Sequence, residues 1–140
     1  MKIVVLKFGG TSVGTIEKIK KVTDIIIEHK KKKNKVIVVS SAMSGVTNDL
    51  IKKSKQISNN FIDSEYDVLV SSGEQVACSL IAGRLNHKGF KSRSWLGWQI
   101  PIFTNGPYKN SRMQTNETKI SLMYQSLAIL FLEKRQEHQL

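Results

Sequence analysis

Ile3-Val4-Val5-Leu6 opens the chain as an unbroken, mostly β-branched apolar run, and within ten residues the apolar spacing turns helical. A strand with no polar face has to be buried, and buried strands joined through helices belong to parallel sheets. The alternation then repeats. Ile16, Ile19, Val22 and Ile26 recur at helical spacing up to His29, and Val36 to Val39 form a second buried-strand run. Leu50, Ile51, Ser54 and Ile57 predict a second helix, broken by Asn59-Asn60. Asp67 to Val70 reads as a third strand, followed by a helix carrying Val76, Leu80, Ile81 and Leu85 and ending before Gly89. Lys91 to Thr104 is strand-like but interrupted by Gly97 and Pro101, and helical spacing returns from about Thr118. The expected fold is α/β: a three-layer α/β/α sandwich on a mainly parallel sheet with right-handed crossovers.

In such a sheet ligands sit beyond the carboxyl ends of the strands. Three polar segments fall there: Lys7 to Gly14, Ser40 to Thr47, and Ser71 to Glu74. In the first, Gly9 and Gly10 follow a strand and precede a helix, so backbone N–H groups can approach an anion without a Cβ in the way. Lys7 adds a mobile cation beside them. The spacing is not that of a P-loop, which has a Lys-Ser/Thr pair after its glycines. In the second segment the hydroxyls of Ser44 and Thr47 suit either helix capping or a polar ligand. In the third, Ser71 and Glu74 have capping-box spacing, and a carboxylate in that place also suits a substrate ammonium. On the residues alone, capping is the preferred reading of both segments.

Composition narrows the partners. The chain has 140 residues, enough for one domain, with 22 Lys plus Arg against 11 Asp plus Glu, a net charge of +11. The densest run, Lys30 to Lys33, follows a helical pattern, where cations offset the helix dipole. The excess therefore favours small anionic ligands over nucleic acid. The longest apolar-rich stretch, Ile120 to Leu132, is shorter than a membrane helix needs and includes Ser121, Gln125 and Ser126. One cysteine, Cys78, and no signal-peptide pattern point to the cytoplasm. His29, His87 and His138 lack metal-ligand spacing, so no protein-held metal site is expected.

Taken together these segments resemble a known family. Val5-Leu6-Lys7-Phe8-Gly9-Gly10-Thr11-Ser12-Val13-Gly14 is similar to the opening signature of aspartate kinases, and Val38 to Asn48, through Ser41-Ala42-Met43-Ser44-Gly45, to their second. Asp67 to Gln75 resembles the third, and Gly97-Trp98-Gln99 with Thr104 to Met113 resembles a later strand and hairpin. Four matches in order over residues 1–113 single out aspartate kinases among amino-acid kinases. The division this implies is 1–113, the substrate- and phosphate-binding part of an amino-acid kinase domain, and 114–140, a divergent helical tail.

The resemblance implies transfer of the γ-phosphoryl group of ATP, with Mg²⁺, to the β-carboxylate of L-aspartate, on the way to lysine and diaminopimelate. It implies phosphate contacts from Lys7, Phe8, Gly9, Gly10 and Ser41, with Lys7 stabilising the transferring group. Substrate contacts fall to Ser41, Thr47 and Glu74, the last holding the α-ammonium. The family's Gly-x-Gly-Gly-Ser-Asp loop, ATP-binding half and ACT domains have no counterpart in these 140 residues. The expectation is a truncated kinase, weakly active or inactive alone. Its alternative is a non-catalytic aspartate- or partner-binding fragment of a split or degraded kinase, and the expected protein partners are a second copy in a homo-oligomer or a complete kinase.

Overall fold

Two parallel strands, β1 (Ile3–Phe8) and β2 (Lys35–Ser40), set the frame, paired in register from Ile3 opposite Lys35 to Phe8 opposite Ser40. They belong to a computed structural model that describes residues 2–96 and 99 in full and the backbone of 104–105, 112–113 and 128–132. The remaining elements are α1 (Ile16–Lys31), α2 (Val46–Ile57), α3 (Asp63–His87), β3 (Ser92–Trp95), β4 (Thr104–Asn105), β5 (Arg112–Met113) and β6 (Ala128–Leu132).

The main sheet has the order β1-β2-β6-β3, and β6 is antiparallel to both of its neighbours. It follows that β3 runs parallel to β1 and β2, which gives the mainly parallel α/β sheet expected. Residues β4 and β5 pair antiparallel, Thr104 with Met113, where the sequence resembles a hairpin. The helical reading of the tail fails at Ala128–Leu132, which is a strand. A five-residue apolar run carries no period that separates the two states, and here a place between β2 and β3 decides it. Residues 114–127 and 133–140 lie outside the described residues.

Side-chain alternation along β1 sorts the sheet's faces. Leu6 and Phe8 pack against the core, while Ile3 and Val5 point the other way and are exposed. The core face is completed by Val36 and Val38 of β2 and covered by α1 and α3. Helix α1 buries Ile19, Val22 and Ile26, at the predicted spacing. Its N-cap Thr15 accepts the Lys18 N–H at 3.3 Å, and His29, Lys30 and Lys31 fill its last turn, where cations are favoured. The lysine run thus closes a helix, with Lys33 in the left-handed region (φ 60°) just beyond it.

Helix α3 corrects the largest expectation. Asp67 to Val70 is not a strand, and Ser71 to Glu74 is neither a loop nor a capping box: all lie within one 25-residue helix. Its buried positions, Gly73, Glu74, Ala77, Cys78, Ile81, Ala82 and Leu85, keep a helical period that the β-branched run upstream obscured. Ser71 and Ser72 donate their hydroxyls back to the carbonyls of Val68 (2.9 Å) and Leu69 (2.6 Å), which lets hydroxyl residues sit inside a helix. The helix ends where Asn86 clamps the start of β3. Its amide donates to Ala82 O (3.0 Å) and Ser92 O (2.9 Å) and accepts the Ser92 N–H (3.0 Å). Arg84 ties α3 to α1, donating to Thr23 Oγ1 at 2.6 Å and pairing with Asp24 at 3.2 Å. Cys78 is packed, with burial pushing its thiol up to about 12, so it is structural rather than reactive.

Two glycines of α3 have opposite prospects. A Cβ on Gly83 meets nothing within 4 Å, so Gly83→Ala gains helix propensity and should stabilise the chain by roughly 1 kcal/mol. A Cβ on Gly73 would stand 2.9 Å from the Ala42 Cβ and 3.2 Å from the Val46 Cγ1. Overpacking costs about 1–3 kcal/mol, which outweighs that gain, so Gly73→Ala should destabilise. Urea titration of both variants checks the opposite signs.

Candidate functional site

Because β1 and β2 are parallel and in register, their carboxyl ends lie side by side, and the two polar loops leave from adjacent points. The ladder continues one step past the strands, with the Ser41 N–H donating to Phe8 O at 3.0 Å. The loops then knit together. Ser44 N–H donates to Gly10 O at 3.2 Å, and a Cβ on Gly10 would lie 2.9 Å from the Ala42 carbonyl oxygen. A Cβ on Gly14 would be less crowded, 3.1 Å from the Ser44 Cβ. The Gly10 contact, with a backbone atom, admits only glycine without a shift of backbone.

Within the first loop every carbonyl from Phe8 to Thr11 accepts a hydrogen bond. Phe8 O takes Ser41 N–H, Gly9 O takes Ser12 N–H at 2.9 Å, Gly10 O takes Ser44 N–H, and Thr11 O takes the Lys18 ammonium at 2.9 Å. In a trans peptide the N–H points opposite to its carbonyl, so fixing a carbonyl aims the next residue's N–H. The N–H groups of Gly9, Gly10 and Thr11 meet no acceptor among the described residues. Three successive backbone donors with their carbonyls turned away form a nest suited to anions. The space where a Gly9 Cβ would stand is open. Lys7, the last residue but one of β1, is exposed on the side of the sheet that Ile3 and Val5 share. One expectation shifts: α1 starts at Ile16, so the turn does not open directly onto a helix end.

The second loop settles its capping question. Helix α2 is capped by Gly45 in the left-handed region (φ 88°) with no side-chain bond, so neither Ser44 nor Thr47 caps it. Thr47 lies half-buried in the first turn. Ser40 is buried and its hydroxyl donates to Ser41 O at 3.1 Å, so of the paired serines it is Ser41, half-buried, whose hydroxyl stays unspent.

Glu74 reaches this region from α3. Gly73 packs on Ala42 and Val46, and the next residue, Glu74, is 8 % exposed, its Oε2 without a hydrogen-bond partner among the described residues. Burial raises its carboxyl above the usual carboxylate range, only partly offset by the backbone N–H groups of Glu74 and Ala42. A buried carboxylate oxygen with no partner among the described residues is a candidate to receive a ligand's donor. Gly9, Gly10, Ser41 and Glu74 thus converge on the strand ends through Ala42, which touches Gly10, Gly73 and the Glu74 carboxylate. The sequence reading passed over Ala42. Its signal was a small residue inside a run of hydroxyls, where bulk would hold the loops apart. Among the described residues no group of three or more His, Cys, Asp or Glu is placed to hold a metal.

Comparisons with known proteins bear on the family to which the chain belongs. The model of the amino acid kinase family matches residues 2–130. An aspartokinase of Geobacillus stearothermophilus is 47 % identical over 118 residues, covering 84 % of this chain and 29 % of its own length. One of Rickettsia felis is 42 % identical over 130 residues, covering 91 % and 32 %. The crystal structure of aspartate kinase from Synechocystis superposes with a TM-score of 0.59 at 42 % identity, covering 61 % of this chain and 15 % of that one. The chain therefore spans about a third of these relatives or less, in their N-terminal part.

The raised carboxyl of Glu74 has a signed consequence. Between the ordinary carboxylate range, near pH 4, and its own higher value, the folded chain keeps a proton that the unfolded chain has lost. Stability from this group is therefore lost as pH rises through that window. Glu74→Gln should be more stable than the parent at pH 7 and lose that advantage near pH 3.5, as measured by urea titration at both pH values.

Proposed function

The chain belongs to the amino acid kinase family, and from that premise we propose that it carries the phosphate- and aspartate-binding part of an aspartate kinase. The reaction is transfer of the γ-phosphoryl group of ATP to the β-carboxylate of L-aspartate. The observation that carries the reading is the row of N–H groups at Gly9, Gly10 and Thr11, turned outward by the fixing of the carbonyls of residues 8–10, two residues along the chain from Lys7. That donor set fits the oxygens of a polyphosphate. Lys7 would neutralise charge on the transferring group, with Phe8, Gly9, Gly10 and Ser41 lining the phosphates. Glu74 would receive the α-ammonium of aspartate at its unpaired Oε2, with Ser41 and Thr47 lining the substrate.

In this chemistry an oxygen of the β-carboxylate forms a bond to the γ-phosphorus as the bond to the bridging oxygen of ADP breaks. The carboxylate is already ionised, so no general base is needed. What the chain supplies is position and charge neutralisation. Mg²⁺ bound with the nucleotide would neutralise phosphate charge. The proposal includes a cytoplasmic setting, which the buried single thiol supports; no helix among the described residues is long and apolar enough to cross a membrane.

A second reading, a non-catalytic module that binds aspartate or docks to a complete kinase, is favoured by one fact: Ile3 and Val5 lie bare at the edge of the sheet. Titration calorimetry with L-aspartate and a coupled ADP assay separate the two. We expect aspartate binding that Glu74→Gln abolishes, with ADP formation far below the ~1–100 s⁻¹ usual for kinases and removed altogether by Lys7→Ala. Aspartate that fails to bind, or binds Glu74→Gln as well as the parent, overturns the assignment of the site. Binding without any ADP formation, together with co-purification of a complete kinase, selects the second reading.

A further inference from the structure

Of the four carbonyls fixed in the first loop, three are held by backbone N–H groups and one by a side chain, that of Lys18. Lys18 is an odd residue for its place. It is the third residue of α1, in the first turn, where the helix dipole disfavours a cation. It is exposed, and no carboxylate pairs with it among the described residues. Its ammonium instead reaches back seven residues to Thr11 O, at 2.9 Å. A cation that a helix would rather exclude, engaged only with a loop carbonyl, marks a local cost kept for another reason.

The geometry shows what that bond does. The Thr11–Ser12 peptide is pinned at both ends, its carbonyl by Lys18 and its N–H by Gly9 O at 2.9 Å. Holding Gly9 O in turn fixes the Gly9–Gly10 peptide and aims the Gly10 N–H away from it. The Gly9 and Thr11 donors are aimed separately, through Phe8 O on Ser41 and Gly10 O on Ser44. Gly10 is thus the one donor of the nest whose orientation depends on a side chain, and glycine flanked by glycine is the backbone with most freedom to turn over.

We propose that Lys18 is a positioning residue of the phosphate-binding turn: by holding the Thr11 carbonyl it keeps the Gly10 N–H directed at the phosphate. This rests on the reading of that turn as a phosphate site and adds a residue that acts on the ligand through two hydrogen bonds. An exposed bond of this kind contributes little to folding stability, so its loss shows in binding and not in the fold.

Inorganic tripolyphosphate is the probe, because it needs no seat for a nucleoside. Its affinity for the full chain is measured by calorimetry for the parent, Lys18→Met and Lys18→Arg, at low salt and at about 0.5 M salt, where an unengaged surface charge is screened. Thermal unfolding is followed in parallel. Lys18→Met should bind about fivefold more weakly at both salt concentrations with an unchanged or raised melting temperature, and Lys18→Arg should stay within about twofold of the parent. Equal binding by Lys18→Met and the parent overturns the role of Lys18 and leaves the phosphate site standing. A deficit that disappears at high salt, or one that comes with a lowered melting temperature, also overturns it, as a general charge effect or a structural one. A parent chain that does not bind tripolyphosphate overturns both the site and this inference.

Discussion

Everything at the site depends on the parallel, in-register pairing of β1 with β2. That pairing brings Phe8 and Ser40 side by side and lets Ser41 extend the ladder onto Phe8 O. From there two loops share hydrogen bonds, and Ala42 becomes a surface on which three segments meet. A slip of one residue would turn Leu6 and Phe8 away from the core and move the Gly9-Gly10 turn off the loop that shapes it. The hydrophobic pattern of the strands and the polar chemistry beyond them are therefore one constraint, since the buried faces of Val36 and Val38 fix the register on which the site relies.

Much of this was legible in the sequence, for identifiable reasons. β1, β2, α1 and α2 carry unmixed signals, either an unbroken β-branched run or apolar residues at helical spacing with a breaker after them. Asp67 to Val70 misled because a β-branched run followed by Ser-Ser-Gly has the appearance of a strand and its turn. What overrode it is the period of Gly73, Ala77, Ile81 and Leu85, which becomes visible only when Gly73 is counted as a contact position rather than a breaker. Ala128–Leu132 could not be read at all, because its state follows from a place between two strands far off in sequence.

The site divides along the same line. Residue types and their loops could be found from motifs, whereas the chemistry lies in which atoms are already engaged. The serine of Ser40-Ser41 with an unspent hydroxyl, the carbonyls of residues 8–11 turned to internal donors, and the lone Oε2 of Glu74 are facts of geometry. Glu74 also shows the energetic cost of such a site. A carboxylate in the middle of a helix, buried and half-partnered, works against folding at neutral pH, and the fold carries that cost where two loops converge.

Gly73 sets a dimension of the molecule. The approach of α3 to Ala42 is limited by a hydrogen atom where every other residue has carbon, and the reach of the Glu74 carboxylate into the loops is measured from that contact. The spacing between α3 and the second loop is thus written as a missing methyl group, at a position where helix propensity alone would favour one and packing forbids it. Drift toward a better helix at this point would push α3 off Ala42 and carry Glu74 away from the loops, so the placement of that carboxylate is kept by its side-chain-free neighbour.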